Sequence, residues 1–174
     1  MLSSVGAALA KIRFEPVRDW KDLRHLRRAV TEALDGIPES IRMALVIAAN
    51  ELVENGLLHG DSSTEVDRRA VRDPSDCSPV TLELDRSPDA IELSVTTRLR
   101  SVERAHVVLR LVEEVESATD QHSAYVDRLL ELARADVNTT SKLGFHRIAL
   151  EGGCSLQAVH RDDLLTVSAR RSLL

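Results

Sequence analysis

Residues 43–60 read MALVIAANELVENGLLHG, and this stretch decides the architecture. Positions 43–49 are apolar without interruption. Pro38 opens the segment and Gly60 stops it, the asymmetry that helix ends favour, so a helix is expected over 38–59. A helix that is apolar all round is buried on most sides, which sets this one against a sheet in the centre of the domain. Its last turns change character. Glu51, Asn55 and His59 follow at intervals of four, so they run along one side of the helix, drifting about 40° per step. Glu54 lies beside them. A carboxylate, a carboxamide and an imidazole therefore emerge together at the end of an otherwise buried helix.

Working outward, residues 11–17 (KIRFEPV) alternate apolar and polar and read as a first strand. Asp19 is a good N-cap for a helix carrying Trp20, Leu23, Leu26, Val30 and Leu34 at helical spacing, with Gly36 as its stop. Residues 60–79 are rich in Ser, Asp and Pro and read as a long exposed loop. Two alternating runs, 80–85 and 90–96, flank Ser87-Pro88-Asp89 and form a hairpin. Helices are expected over 101–118, with Ser101 as N-cap, and over 123–135. A polar gap leads to LGFHRIALEGG (143–153), a short helix ended by Gly152-Gly153. A second hairpin, 155–160 with 164–169, turns at Arg161-Asp162-Asp163. The expected class is α/β, a two-layer sandwich with a mixed sheet covered by helices on one face.

Composition narrows the function. The chain has 174 residues, 43% hydrophobic and 29% charged, which suits one soluble globular domain over 1–174. Its net charge is −5, and its aromatics (Phe14, Trp20, Tyr125, Phe145) are scattered. Neither the basic surface nor the stacking cluster of a nucleic-acid binder is present. The longest apolar run is seven residues, whereas a membrane span needs about twenty, and the first ten residues do not read as a signal peptide. Cys77 and Cys154 have no CxxC partner and are expected to stay reduced. A cytoplasmic protein is expected, with neither nucleic acid nor membrane as partner.

Chemically, a carboxylate such as Glu51 can position or activate a nucleophile. An amide oxygen such as that of Asn55 is a hard ligand suited to Mg²⁺. The other reading is a polar final turn that simply meets solvent. ELVENGLLHG resembles the N-box of the GHKL ATPase superfamily and is most similar to its anti-sigma-factor serine kinases. The resemblance implies a Bergerat-like fold that binds ATP and Mg²⁺. It implies Glu51 as general base, Asn55 holding Mg²⁺ and the triphosphate, and His59 near the phosphates. The later half is similar to a bacterial subgroup of SiaB-type regulatory kinases, in which two helices, here within 99–140, replace the mobile lid. The resemblance spans about residues 14–170.

The departures from that pattern are specific. Where the adenine-binding DxGxG should follow the strand ending near Val95, this chain has TTRLR (96–100), leaving Thr96 or Thr97 for adenine. The phosphate-cradling glycine loop reads TTSKLGF (139–145) and keeps only Gly144, where side chains replace the hydrogens that let phosphate reach the backbone. Lys142 could bind phosphate as a point charge or face solvent near a helix start. His146, Cys154 and His160 lack zinc spacing. His25, His106 and His122 read as structural or exposed. No GxSxG or Cys/His nucleophile arrangement is visible.

Three functions follow. The first is a bacterial regulatory protein of this fold that binds a partner protein in a signalling or partner-switching pathway, with ATP binding weakened or lost. The partner would be an anti-sigma-antagonist-like domain, or a second copy held through the helices of 101–135. The alternative is an active Mg–ATP-dependent serine/threonine protein kinase of the anti-sigma-factor type. The third is an ordinary α/β domain, whose Glu51–His59 helix end would face open solvent with no adjoining pocket.

Overall fold

A computed structural model describes residues 10–14, 16–18, 22–61, 79–134 and 143–174. Along the chain run β1 (Ala10–Arg13), α1 (Asp22–Ala33), α2 (Glu39–His59), β2 (Thr81–Arg86), β3 (Ala90–Arg98), α3 (Val102–Ser117), α4 (Gln121–Arg134), α5 (Gly144–Leu150), β4 (Ser155–Arg161) and β5 (Leu164–Ser172). The fold is α/β. The expected helix cap Asp19, Trp20 after it, and most of the expected loop (62–78, with Cys77) lie outside the described residues.

The sheet has five strands in the order β1-β2-β3-β5-β4. It is not mixed as expected: each of its pairings is antiparallel. The reason lies in the last hairpin. β3 and β4, joined through α3, α4 and α5, run in the same direction, but β5 folds back between them. Strands that would have been parallel neighbours are thereby separated, as in a split βαβ unit. Asp162 and Asp163 make that return possible, with φ of 50° and 63° in the two-residue turn, the conformation of a type I′ hairpin.

Alternation sorts the two faces of the sheet. Leu82, Leu84, Ile91, Leu93, Val95, Leu165, Val167 and Ala169 are buried on one face. The other face is polar. Lys11 and Arg13 pair with Glu83 at 3.3 and 3.9 Å. The hydroxyls of Ser94 and Ser168 (2.8 Å) and of Thr96 and Thr166 (3.0 Å) bond across the β3–β5 register.

α2 lies on the apolar face, with Leu45, Val46, Leu52, Val53 and Leu57 buried. Full burial of such a side chain contributes about 1.5–3 kcal/mol, so this helix anchors the core. Gly56 allows its close approach, because a methyl group there would stand 2.9 Å from Val80 Cγ1. α3 adds Ala105, Val108, Val112 and Val115 to the core, and Ser101 caps it by accepting from Arg104 N at 3.2 Å. α4 differs. It starts at Gln121, earlier than expected, because Asp120 Oδ1 accepts from His122 N and Ser123 N (3.0 and 3.2 Å). It buries none of its residues, and Val126, Leu129 and Leu130 are exposed.

Candidate functional site

The sheet fixes the axis of α2, and the helix then carries Glu51, Glu54 and Asn55 to the side that meets α5. Its C-terminal carbonyls are held from α3: Arg104 donates to His59 O and to Gly60 O (3.4 Å). A cation at a helix C-terminus also suits the helix dipole. Asp61 continues the clamp, bonding Arg98 O through its N–H (2.8 Å) and accepting from Arg100 N (3.1 Å).

Glu51 is mostly buried and ion-pairs with Arg147 of α5, whose guanidinium also reaches both carboxylate oxygens of Glu151 at 3.2 and 3.3 Å. Burial pushes the Glu51 carboxyl above its ordinary value. Arg147 opposes that rise, while Glu54 and Glu151 add to it. Asn55 is 6% exposed, and its Nδ2 is buried with no hydrogen-bond partner. Against both stands Gly144, the first residue of α5. A methyl group there would stand 2.8 Å from Asn55 Nδ2 and 2.9 Å from Glu51 Oε2. The close approach of α5 to α2 therefore depends on glycine at this position.

Two spaces flank Asn55. On one side a cleft of about 460 Å³ opens between α2, α4 and α5, lined by Glu51, Glu54, Asn55, Tyr125, Arg147 and Glu151 among others. On the other, between α2 and the sheet, an apolar cavity of about 10 Å³ is closed in by Phe145, Val108, Val95 and Thr97. That is room for a single water.

The structure thus brings Glu51, Asn55 and Gly144 together. His59 and Thr97 meet Asn55 only around the small inner cavity, where Thr97 Oγ1 donates to Gly56 O at 3.4 Å. Thr96 is not with them. It lies on the opposite, polar face of the sheet, bonded to Thr166, because strand alternation turns neighbours to opposite faces. Lys142 lies outside the described residues, as does most of the 139–145 segment.

The two helices expected over 101–118 and 123–135 are present, but unequally. α3 is built into the core and α4 rests outside it. The helix end does not face open solvent, since a cleft adjoins it. Sequence reasoning missed Arg147, Glu151 and Tyr125. The first two sit four apart on the short helix expected at 143–153, a spacing that could have marked them as a pair.

Other candidates lie apart from Glu51 and Asn55. His146 is buried against the α3 and α4 side, and burial lowers its pKa. His160 Nε2 bonds Leu99 O at 2.7 Å. The Cys154 thiol is buried and pushed up to about 11. Among the described residues no group of three His, Cys, Asp or Glu side chains is placed to hold a metal, and no helix is long and apolar enough to cross a membrane.

Gly144 stands close against Asn55, and the inner cavity is far below the roughly 300 Å³ at which ligand pockets begin, whereas the outer cleft lies within that range. No protein-family model matches the chain, and no curated protein matches it.

Proposed function

We propose that the chain is a bacterial regulatory protein, related to the GHKL fold, that works in the cytoplasm by binding a partner protein and has weakened or lost ATP binding. The observation that carries this reading is the seating of α5 directly on Glu51 and Asn55, with Gly144 against the Asn55 amide. In this reading the helix whose start would cradle phosphate instead packs against Glu51 and Asn55, beside the open cleft. The closed inner cavity supports the same reading. So does α4, which presents Val126, Leu129 and Leu130 outward and suits contact with another protein.

The test is a calorimetric titration with Mg–ATP beside an Asn55→Ala control. The expected result is no saturable heat at millimolar nucleotide in either protein. Micromolar binding that disappears in the control, about −8 kcal/mol, refutes the loss of ATP binding.

The second reading, a serine/threonine kinase, is supported by one observation: Gly144 stands against Glu51 and Asn55, whose amide nitrogen is unpaired. It requires α5 to withdraw from α2.

A further inference from the structure

We propose that a second copy of this chain pairs with the outer edge of β4, antiparallel about a twofold axis at Val159, and joins the two five-stranded sheets into one. The inference goes beyond the partner-binding reading and does not rest on it.

The two edges of the sheet are built differently. β1, at one edge, is four residues long and carries Lys11 and Arg13, and short, charged strands protect an edge from pairing. β4, at the other, is seven residues long and pairs with β5 along its whole length without a bulge. Residues 155–160 (SLQAVH) hold no Lys, Asp, Glu or Pro, and no described strand lies beside them. Arg161 and Leu164 flank the two-residue turn and so form a hydrogen-bonded pair. Alternation from there turns the N–H and C=O of Leu156, Ala158 and His160 away from β5, toward the open edge.

One contact sets the register. The Leu156 N–H is already taken, because Glu116 Oε1 of α3 accepts from it at 2.6 Å. Pairing centred on Ala158 would set Leu156 against His160 of the second copy and break that bond. Pairing centred on Val159 spares it. Ala158 then exchanges both backbone hydrogen bonds with His160 of the other copy, on either side of the axis. Val159 meets its own counterpart in a non-hydrogen-bonded pair, where side chains come closest, with Cα atoms ~4.5 Å apart. Val159 is 43% exposed and Leu164 46% exposed on the open face of the sheet, and they are diagonal neighbours in the β4–β5 register. Dimerisation gathers these side chains from both copies into one apolar cluster at the axis.

α3 carries the same symmetry. Glu116 marks the side of α3 that overlooks the edge, and Glu113, Leu109, His106 and Val102 lie on that side at helical spacing. The helix runs level with β4. Leu99, just before its start, bonds His160 through its carbonyl at 2.7 Å, and Glu116 near its end reaches Leu156. An axis at the middle of β4 therefore passes by the middle of α3. It sets Leu109 against itself and His106 of one copy against Glu113 of the other. A twofold interface must be self-complementary in this way, and here the complementarity extends to charge.

The experiment is sedimentation of the whole chain between about 1 and 500 μM, repeated on Val159→Lys and on Val126→Lys in α4. The expected wild-type species at the upper concentrations has twice the 19.2 kDa chain mass. Val159→Lys is expected to weaken it at least about tenfold, because two like charges then meet at the axis, and Val126→Lys to leave it unchanged. In a Cys77→Ser background, Val159→Cys is expected to form an interchain disulfide on mild oxidation, since a Cα separation of ~4.5 Å suits one. Gln157→Cys, which faces Arg161 of the other copy, is expected to cross-link far less. Circular dichroism checks the fold of each variant, and the wild-type and cysteine results stand without Val159→Lys. A monomer throughout, a dimer that Val159→Lys leaves intact or Val126→Lys dissolves, or cross-linking at position 157 in preference to 159 overturns the proposal. None of these results bears on partner binding, which a monomer can also perform.

Discussion

Replacing Gly144 with alanine asks whether α5 is truly seated on Glu51 and Asn55. The new methyl would stand 2.8 Å from Asn55 Nδ2, 2.9 Å from Glu51 Oε2 and 3.4 Å from Asn55 Oδ1. Two of these separations are too short for an unmoved structure. The Asn55 side chain is buried and cannot simply swing out. Overpacking of this kind costs about 1–3 kcal/mol. Alanine regains part of that through helix propensity, at most ~1 kcal/mol and less at the first residue of a helix. The net expectation is a loss of about 1–2 kcal/mol, which for a chain of this size lowers Tm by about 2–4 °C per kcal/mol. Urea denaturation of four proteins decides the matter: wild type, Gly144→Ala, Asn55→Ala and the double variant. Removing Asn55 deletes an unpaired buried amide, so that variant alone is expected to stay within about 1 kcal/mol of wild type. It also makes room for the methyl, so Gly144→Ala in that background is expected to be nearly neutral. The cycle then shows a coupling of about 1 kcal/mol or more. Additive effects, or a neutral Gly144→Ala alone, refute the contact and with it the main support for the proposed function.

Three further outcomes follow from the geometry. The Glu51 carboxyl, raised chiefly by burial, is expected to titrate above the ordinary carboxylate range by carbonyl-carbon NMR, and Arg147→Gln to move it higher still. Because its folded pKa lies above its unfolded value, the folded state binds the extra proton. This group's contribution to stability therefore falls as pH rises through that window and is regained below it, a trend that Glu51→Gln is expected to remove from urea titrations across the range. Leu129→Asp on the outward side of α4 is expected to change stability by less than about 0.5 kcal/mol, whereas Val112→Ala in α3 costs ~1–3 kcal/mol. Hydrogen exchange is expected to be faster along α4 than along α3. Cys154, with its thiol near 11, is expected to resist iodoacetamide at pH 8 until urea is added, as read by peptide mass spectrometry.

The elements whose signal is local were readable in the sequence. The apolar run 43–49 and Gly60 located α2, and the alternating runs located both hairpins. The short helix ended by Gly152-Gly153 was also readable, and its first residue, Gly144, stands against Glu51 and Asn55. Facts set by tertiary choice were not legible. Nothing in residues 155–172 says that β5 inserts between β3 and β4, so the uniformly antiparallel sheet was missed. Arg147 meets Glu51 across 96 positions of chain, beyond any spacing rule. α4 turns Val126, Leu129 and Leu130 outward, because the side that lies against the body carries Gln121, Ala124, Tyr125, Arg128 and Leu132. One miss was avoidable: Ile91, Leu93 and Val95 set the buried parity of β3, and the same parity selects Thr97 over Thr96.

The placement of β5 also bears on how the chain acquires its shape. Each hairpin can zip from its own turn, but the seam between them joins residues 98 and 164, with three helices in the interval. Such a closure is entropically costly before it brings any reward, and non-local pairing slows folding. During synthesis, the middle strand of the sheet gains its second neighbour only after β5 has been made. Until then β3 exposes an open edge and α2 lacks part of its floor. The interval between making α3 and making β5 is when the nascent chain is most prone to stick to its neighbours.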